Sequence, residues 1–222
     1  MPGTEQDTNP RQPLNRDRIL AAALDLADTQ GLGALTMRSL AHELGVRPMS
    51  LYRYIHDKED LLDGMVDLVF SEIALPDPRG PWRGELRRRA VSARRVLARH
   101  PWALALLDTR TSPGPATLRH HDAVLGLLMN GGFSPEMTER AYTIVDSYVY
   151  GFVIQDAALS FEDPGGAAEA ARSALAALDP KAYPHLAAFA AGHLVQEGYA
   201  FADQFEPGLD LLLDAIGTLA QH

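Results

Sequence analysis

The chain has 222 residues, 46% of them hydrophobic, which suffices for one large or two small domains with a substantial core. It contains no cysteine, which excludes disulfide frameworks, thiolate zinc sites and cysteine nucleophiles, and its net charge is −9. No apolar run approaches the ~20 residues of a membrane span, so we expect a cytoplasmic protein with no membrane partner.

The charge is unevenly distributed along the chain. Residues 79–99 contain eight arginines and one acidic residue, whereas residues 100–222 contain five basic and fifteen acidic residues. Nucleic acids are bound by local basic patches, so the overall negative charge does not exclude DNA as a partner.

Apolar residues recur at helical spacing along the whole chain, and strand-like alternation is nearly absent. We therefore predict an all-α fold with three parts. They are a flexible arm at 1–14, an N-terminal three-helix helix-turn-helix domain at 15–75 and a larger helical domain at 82–222. The sequence "PDPRGP" at 76–81 marks the boundary between the two domains.

Capping residues and glycines place the N-terminal helices. The first begins at the N-cap Asn15 and ends near Gly31, and the second begins at the capping residue Thr36. A third, very short helix follows, and the next one begins at Asp57 and is ended by residues 76–81. Two short helices in succession are typical of a helix-turn-helix.

The stretch "GVRPMSLYRYIHDKEDLL", residues 45–62, contains the third helix. Gly45 accommodates the positive φ of a tight turn, and the small Ala41 lets the two helices cross closely. Pro48 suits the first helical position, and Leu51 and Ile55 face the core. This leaves the following side chains outside: Arg47, Pro48, Met49, Ser50, Tyr52, Arg53 and Tyr54.

These outward side chains match the chemistry of a DNA major groove. Arginine donates two hydrogen bonds to guanine, serine serves several bases, and methionine and proline offer apolar surface to thymine methyls. Tyrosine hydroxyls reach phosphates, and Lys58 adds positive charge near a helix N-terminus. Large aromatics beside arginines argue against a merely solvated surface.

The segment "ILAAALDLADTQGLGALTMRSLAHELGVRPMSLYRYIHDKEDLL" resembles the DNA-binding domain of TetR-family transcriptional regulators over about residues 16–65. The resemblance implies that Arg38 contacts a base or a phosphate. It implies base-edge contacts for Pro48, Met49, Ser50 and Arg53. It implies phosphate contacts for Thr36, Tyr52, Tyr54 and Lys58. Arg47 departs from the family pattern, where Ser or Thr is common, and places an extra cation at the groove.

Further helices are predicted in the C-terminal part at Trp82–Leu97, Pro101–Leu107, Ala116–Met129, 135–160, 183–198 and 206–220. The Ala/Gly-rich segment 162–180 reads as a mobile connection with some helical content. The helix at 135–160 is apolar on two faces, so it must be buried both in its own subunit and elsewhere. This agrees with the homodimer through helices 135–160 and 206–220 that a resemblance of the C-terminal part to the tetracycline-repressor branch implies, and a palindromic double-stranded DNA operator requires a dimer.

The layout from "DTRTSPGP" to "YGFVIQDAAL" is similar to the ligand-binding domain of the tetracycline-repressor branch, and it implies an unknown small-molecule ligand. The candidate lining residues are Trp102, Arg110, His121, Met129, Asp146, Tyr148, Phe152 and Gln155. For Trp102 and Phe152, a place in the core is the favoured alternative to a contact with the ligand. Asp146 and Gln155 interrupt an apolar helix, so either a protein partner or a ligand must satisfy them.

The inducer of that branch is a metal–drug chelate held partly by a histidine shortly before a Thr-Arg pair. In this chain the pair is Thr109-Arg110, Leu106 stands at the matching position, and His100 lies six residues earlier. This argues against a magnesium–tetracycline ligand. The other histidines have no convincing metal spacing, so no metal and no cofactor are predicted.

The arginine-rich helix, with Arg87, Arg88, Arg89, Arg94, Arg95 and Arg99, has two interpretations. It either pairs with the acidic body of the protein or attracts DNA at long range. The chain lacks hydrolase, phosphate-loop and metalloprotease motifs, so we do not expect an enzyme. The leading prediction is a dimeric, ligand-released transcriptional repressor; the alternative is a ligand-independent DNA-binding or protein-interaction module.

Overall fold

The structure is a computed structural model, and it describes residues 13–107, 112–160, 173–174, 177, 179–194 and 199–218. Over these ranges the chain is helical, with turns and short 3₁₀ or π segments between the α-helices and no strand. The predicted all-α fold is confirmed. The arm before residue 13, most of the 162–180 segment and Arg110 lie outside the described residues.

The α-helices bear labels in chain order, with bounds as follows. They are α1 (Arg16–Gln30), α2 (Met37–Glu43), α3 (Pro48–Leu51), α4 (Lys58–Glu72), α5 (Trp82–Arg99), α6 (Leu104–Leu107), α7 (Pro115–Asn130), α8 (Pro135–Ser160), α9 (Pro184–Phe189) and α10 (Phe205–Gly217).

The predicted caps begin the N-terminal helices. The side chain of Asn15 accepts a hydrogen bond from the backbone N–H of Arg18 at 2.8 Å. Thr36 and Ser39 form a reciprocal capping box at the start of α2. Asp57 accepts the backbone N–H of Asp60 at the start of α4. Each cap satisfies a backbone donor that would otherwise have no partner inside the helix.

The helix-turn-helix forms as its residue types predict. Gly45 has a φ of 63°, a left-handed conformation that residues with a Cβ adopt only at a cost. Ala41 is buried where α2 and α3 meet, and Leu51 and Ile55 are fully buried. α3 is a single turn that begins at Pro48, so only packing against its neighbours can keep it helical.

The C-terminal helices pack around α5 and α8. α5 lies against α8, α10 lies against both, and α7 lies between α8 and α4. Val145, Val149 and Val153 of α8 are buried in this subunit. The last helix buries four residues on one face: Phe205, Leu209, Leu213 and Ile216. Because α4 packs against α7, the DNA-binding part and the larger part share one continuous core.

One expected C-terminal helix needs correction, and one apolar residue of α8 lies at the surface. Ile144 is exposed, whereas the rings of Tyr148 and Phe152 pack against Phe205. The single helix expected at 183–198 is instead α9 followed by a π-helical stretch at Ala190–Leu194, and residues 195–198 are not described.

The arginines of α5 mostly pair with acidic side chains of the same chain. Arg83 donates to Asp214 at 2.6 Å, and Arg87 bridges Glu206 and Asp210 at 2.7 and 2.9 Å. These three acids lie on one side of α10. This arrangement fits the ion-pairing interpretation of the arginine-rich helix rather than long-range attraction of DNA.

Candidate nucleic-acid interface and ligand cavity

The predicted DNA-contacting residues lie on or beside α2, α3 and the start of α4, and all are exposed except the partly buried Ser50. The exposed ones are Thr36, Arg38, Arg47, Pro48, Met49, Tyr52, Arg53, Tyr54 and Lys58. Met49 is 74% exposed, and Tyr52 and Tyr54 of the same short segment are exposed as well, so several large apolar groups reach the surface here. We call these nine residues together with Ser50 the DNA-contacting face, after the contacts that the sequence predicts for them.

The face combines cations with large apolar and aromatic groups. Arg38, Arg47 and Arg53 supply guanidinium groups that can bind guanine or phosphate. Lys58 occupies the first position of α4, where free backbone amides also attract phosphate. Arg47 is the N-cap residue of α3, but its side chain makes no capping hydrogen bond to the backbone of that helix.

A clamp that the sequence did not reveal holds the turn after α3. Arg16 of α1 donates to the carbonyl oxygen of Tyr54 at 3.1 Å and to both carboxylate oxygens of Asp60, at 2.6 and 3.0 Å. Asp60 also accepts the backbone N–H of His56 at 2.7 Å. The hydrogen bond from Arg16 lowers the pKa of Asp60. The two partners are 44 residues apart, so no local spacing could reveal the pair.

A cavity of about 490 Å³ lies between α4, α7, α8 and the segment that leads into α7. α8 supplies five of its lining residues: Tyr142, Thr143, Asp146, Ser147 and Tyr150. α4 supplies three: Asp63, Val66 and Phe70. The remainder comes from Leu107, residues 112–114, Thr117 and His121. Its walls are aromatic and apolar, with hydroxyl groups and two carboxylates, as expected for a small-molecule site.

Three rings form one wall of the cavity. His121 lies edge-on to Tyr142 with ring centroids 5.6 Å apart, and Phe70 lies 6.1 Å from His121. Burial lowers the pKa of His121, which favours its neutral form at neutral pH. Burial raises the pKa of Tyr142 and of Tyr150, so both hydroxyls stay protonated.

A buried ion pair underlies the cavity. Arg89 of α5 is 1% exposed and donates to Asp146 at 2.6 and 3.3 Å, and Tyr150 also donates to Asp146 at 3.2 Å. The sequence left two partners open for Asp146, a protein group or a ligand. In the structure, Arg89 and Tyr150 are protein partners of this carboxylate. Asp146 nevertheless also lines the cavity.

Of the eight predicted ligand-binding residues, His121 and Asp146 line the cavity, and Arg110 lies outside the described residues. The other five do not line it: Trp102, Met129, Tyr148, Phe152 and Gln155.

Packing explains where these five residues lie. Trp102 is buried and donates to Asp28 of α1 at 2.6 Å. The ring of Phe152 is stacked on Phe201 at 4.6 Å, and the hydroxyl of Tyr148 donates to the carbonyl oxygen of Phe205 at 2.8 Å. Met129 and Gln155 are exposed. For Trp102 and Phe152, the structure supports the interpretation as core residues.

The α4 side of the cavity was missed from sequence because α4 was assigned wholly to the DNA-binding part. Phe70 and Val66 looked like ordinary core positions of an amphipathic helix. Asp67, one turn away, accepts both the backbone N–H and the hydroxyl of Thr117, at 2.8 and 3.0 Å. A Cβ on Gly114 would collide with the Asp67 carboxyl, so the chain approaches α4 closely here.

His100, the histidine that precedes the Thr-Arg pair, does not line the cavity. It is buried, and its Nδ1 is 2.8 Å from Asp28. Among the described residues, no three His, Asp or Glu side chains are arranged to hold a metal ion. No helix in the described part of the chain is long and apolar enough to cross a membrane.

Comparisons with known proteins agree with this geometry. Residues 19–65 match the family model described as "Bacterial regulatory proteins, tetR family". Residues 75–220 match the one described as "Tetracyclin repressor-like, C-terminal domain".

Individual relatives match over nearly the whole chain. An HTH-type transcriptional regulator from Saccharopolyspora erythraea is 33% identical over 217 residues, covering 97% of this chain and 90% of that protein. An HTH-type transcriptional repressor from Mycobacterium tuberculosis is 31% identical over 229 residues, covering 100% and 87%. The Streptomyces coelicolor TetR family protein ActR, solved in complex with actinorhodin, superposes with a TM-score of 0.77 at 27% identity, over 95% of this chain and 100% of that one. The chain belongs to the TetR family of bacterial transcriptional regulators.

Proposed function

We propose that the protein is a dimeric repressor that binds a palindromic operator and is released when a small molecule occupies the cavity. The observation that carries the proposal is that α4 forms one wall of the cavity. α4 also begins beside the DNA-contacting face, since Lys58 is its first residue. One rigid helix therefore connects the ligand site with the DNA site.

The direct contact of α4 with the cavity supports release by displacement of this helix. In the structure, Asp67 of α4 holds the N-terminal turn of α7 through its two hydrogen bonds from Thr117. A ligand between Phe70 on α4 and Tyr142 on α8 would have to move these helices apart to enlarge the space. The clamp between Arg16 and Asp60 would carry a shift of α4 to α1 and to the turn after α3.

The names of relatives support repression and ligand binding. The relative from Mycobacterium tuberculosis is named a transcriptional repressor, and ActR was solved with actinorhodin bound. Both comparisons span nearly all of this chain, including the helices that form the cavity. A repressor with an effector site is therefore the function that best accounts for both regions of this molecule.

Exposed apolar side chains on α8 and α10 support the dimer. Ile144 and Ile154 of α8 are 39% and 56% exposed, and Leu211 of α10 is 73% exposed. Gly151 lies between the two isoleucines on α8 at helical spacing. Pairing these helices with their counterparts in a second copy would bury the isoleucines and leucine. It would also present two DNA-contacting faces, which a palindrome needs about 34 Å apart.

The DNA-binding half of the proposal can be tested with the intergenic DNA next to the protein's own gene, in a gel-shift assay. Replacing Arg53 or Tyr52 by alanine should abolish the shift and leave the dimer intact in size-exclusion chromatography. Arg95→Ala is the matched control, because it removes the same charge from an exposed position on α5. An unaltered shift with Arg53→Ala would contradict the assignment of the DNA-contacting face.

A further inference from the structure

A cluster of polar side chains joins the end of α5 to α1. His100, which directly follows α5, places its Nδ1 2.8 and 2.9 Å from the two carboxylate oxygens of Asp28 on α1. Trp102 donates its indole N–H to the same carboxylate at 2.6 Å. A carboxylate only accepts hydrogen bonds, so the Nδ1 of His100 carries the hydrogen. Asp28 is therefore held by two donors from one short segment of the C-terminal part.

The same segment also reaches α4. Arg99 donates to the carboxylate of Glu72, the last residue of α4, and the Nε2 of His100 lies 3.5 Å from that carboxylate. His100 thus lies between two acidic side chains, one near the C-terminal end of each helix. Its imidazole is buried, and its Nε2 has no hydrogen-bond partner among the described residues.

Packing alone does not account for a histidine at this position. A buried ring nitrogen without a hydrogen bond lowers the stability of the fold, so an apolar side chain would fill the same space better. The rings of His100 and Trp102 lie with their centroids 6.2 Å apart and direct their N–H groups at one carboxylate. Two donors that converge on a single acceptor fix the end of α1 in direction as well as in distance.

α1 carries this constraint towards the DNA-contacting face. The helix has 15 residues, which corresponds to a length of about 22 Å. Asp28 lies near its C-terminal end, and Arg16, its first residue, holds the turn after α3 through the carbonyl oxygen of Tyr54. A direction that is set at Asp28 therefore also sets where Arg16 holds this turn.

We propose that Asp28 is a positioning residue for DNA binding, and that His100 and Trp102 hold it so that α1 presents the DNA-contacting face in the geometry that the operator requires. This inference rests on the proposed function, in which that face binds the operator. The segment that holds Asp28 continues directly into α6, whose last residue, Leu107, lines the cavity. The C-terminal part therefore holds both long helices of the DNA-binding part, α1 through Asp28 and α4 through Asp67.

The operator affinity of folded variants tests the proposal. Fluorescence anisotropy with the intergenic DNA next to the protein's own gene gives the affinity, and circular dichroism at the same temperature shows that each variant is folded. Asp28→Ala should weaken binding about tenfold, because the end of α1 loses the acceptor that both donors share. Asp25→Ala is the matched control, since it removes an exposed acidic side chain about one turn earlier on α1 and should change the affinity less than about twofold.

A histidine series separates positioning from packing. His100→Leu fills the space but removes the donor, so it should weaken operator binding about tenfold. The amide nitrogen of asparagine occupies the place of the histidine Nδ1, so His100→Asn should recover most of the loss. A role in packing alone predicts the reverse order, because leucine is the better apolar filler. Asp28→Ala combined with His100→Leu should lose no more affinity than either single variant, since both remove the same contact.

If Asp28→Ala does not fold, Trp102→Phe still decides, because phenylalanine keeps an aromatic ring in the core and removes one of the two donors. Its operator binding should weaken about threefold. Wild-type affinity in the folded variants, or equal losses for Asp28→Ala and Asp25→Ala, would overturn the inference alone. Wild-type protein that does not bind the intergenic DNA contradicts the proposed function, and this inference with it.

Discussion

Arg16 shows how a single residue can position a surface that it does not belong to. Its guanidinium joins the start of α1 to Asp60 on α4 and to the carbonyl of Tyr54, just after α3. The pair is partly exposed, with 42% and 30% of the two side chains accessible, so it contributes only modestly to stability. Its larger effect is to fix the direction of the turn that carries Tyr52 and Tyr54.

Replacing Arg16 with alanine should therefore weaken operator binding by about tenfold while costing only about 1 kcal/mol of unfolding free energy. Asn15→Ala is the control, since loss of this helix cap also costs about 1 kcal/mol but leaves the turn after α3 in place. Gel shifts and urea unfolding of both variants make the comparison. Equal loss of DNA affinity in the two variants would show that Arg16 acts through stability alone.

At the scale of helices, the contact of α4 with α7 joins the N-terminal helices to the cavity that we propose as the ligand site. The carboxylate of Asp67 accepts two hydrogen bonds from Thr117, whose side chain is 7% exposed. Gly114 allows this close approach because it has no Cβ to meet the carboxyl. These contacts hold the two helices in the arrangement that the structure shows.

Removing the carboxylate with Asp67→Ala should lower the unfolding free energy by about 2 kcal/mol, because it leaves two donors of a buried residue without partners. Thr117→Val should cost less, since the valine backbone N–H can still donate to Asp67. Thermal or urea unfolding at constant pH measures the difference. A Thr117→Val loss as large as that of Asp67→Ala would contradict this account of the contact.

At the scale of the whole molecule, one subunit leaves apolar side chains of α8 and α10 in solvent while its own core is complete. Val145, Val149 and Val153 of α8 are already buried, so Ile144 and Ile154 point elsewhere. An exposed apolar stripe on two long helices is costly unless another surface covers it. A second copy of the same chain supplies such a surface by two-fold symmetry.

The double variant Ile154→Glu with Leu211→Glu should be monomeric and should bind the operator at least about tenfold more weakly, since each monomer holds one half-site. Light scattering gives the oligomeric state and gel shifts give the affinity. Leu118→Glu is the control, because Leu118 is 54% exposed on α7, a helix outside the proposed interface. A dimeric double variant with normal affinity would rule out this interface.

Local sequence patterns determined much of this protein. Helical spacing predicted the all-α fold, and the capping residues Asn15, Thr36 and Asp57 predicted where three helices begin. Gly45 and Pro48 predicted the turn and the start of α3, and the order of these motifs identified the family. These predictions hold because caps, turns and amphipathic faces depend on residues within a few positions of one another.

Only the tertiary structure decided where the cavity lies and which contacts join helices that are far apart in the sequence. Arg89 meets Asp146 across 57 residues, and Arg16 meets Asp60 across 44. For Trp102 and Phe152 the sequence favoured the core but left a ligand contact open, and packing places both in the core. Side chains so far apart in sequence meet only when helices pack. The spacing of apolar residues shows which face of a helix is apolar, but it does not show which other element covers that face.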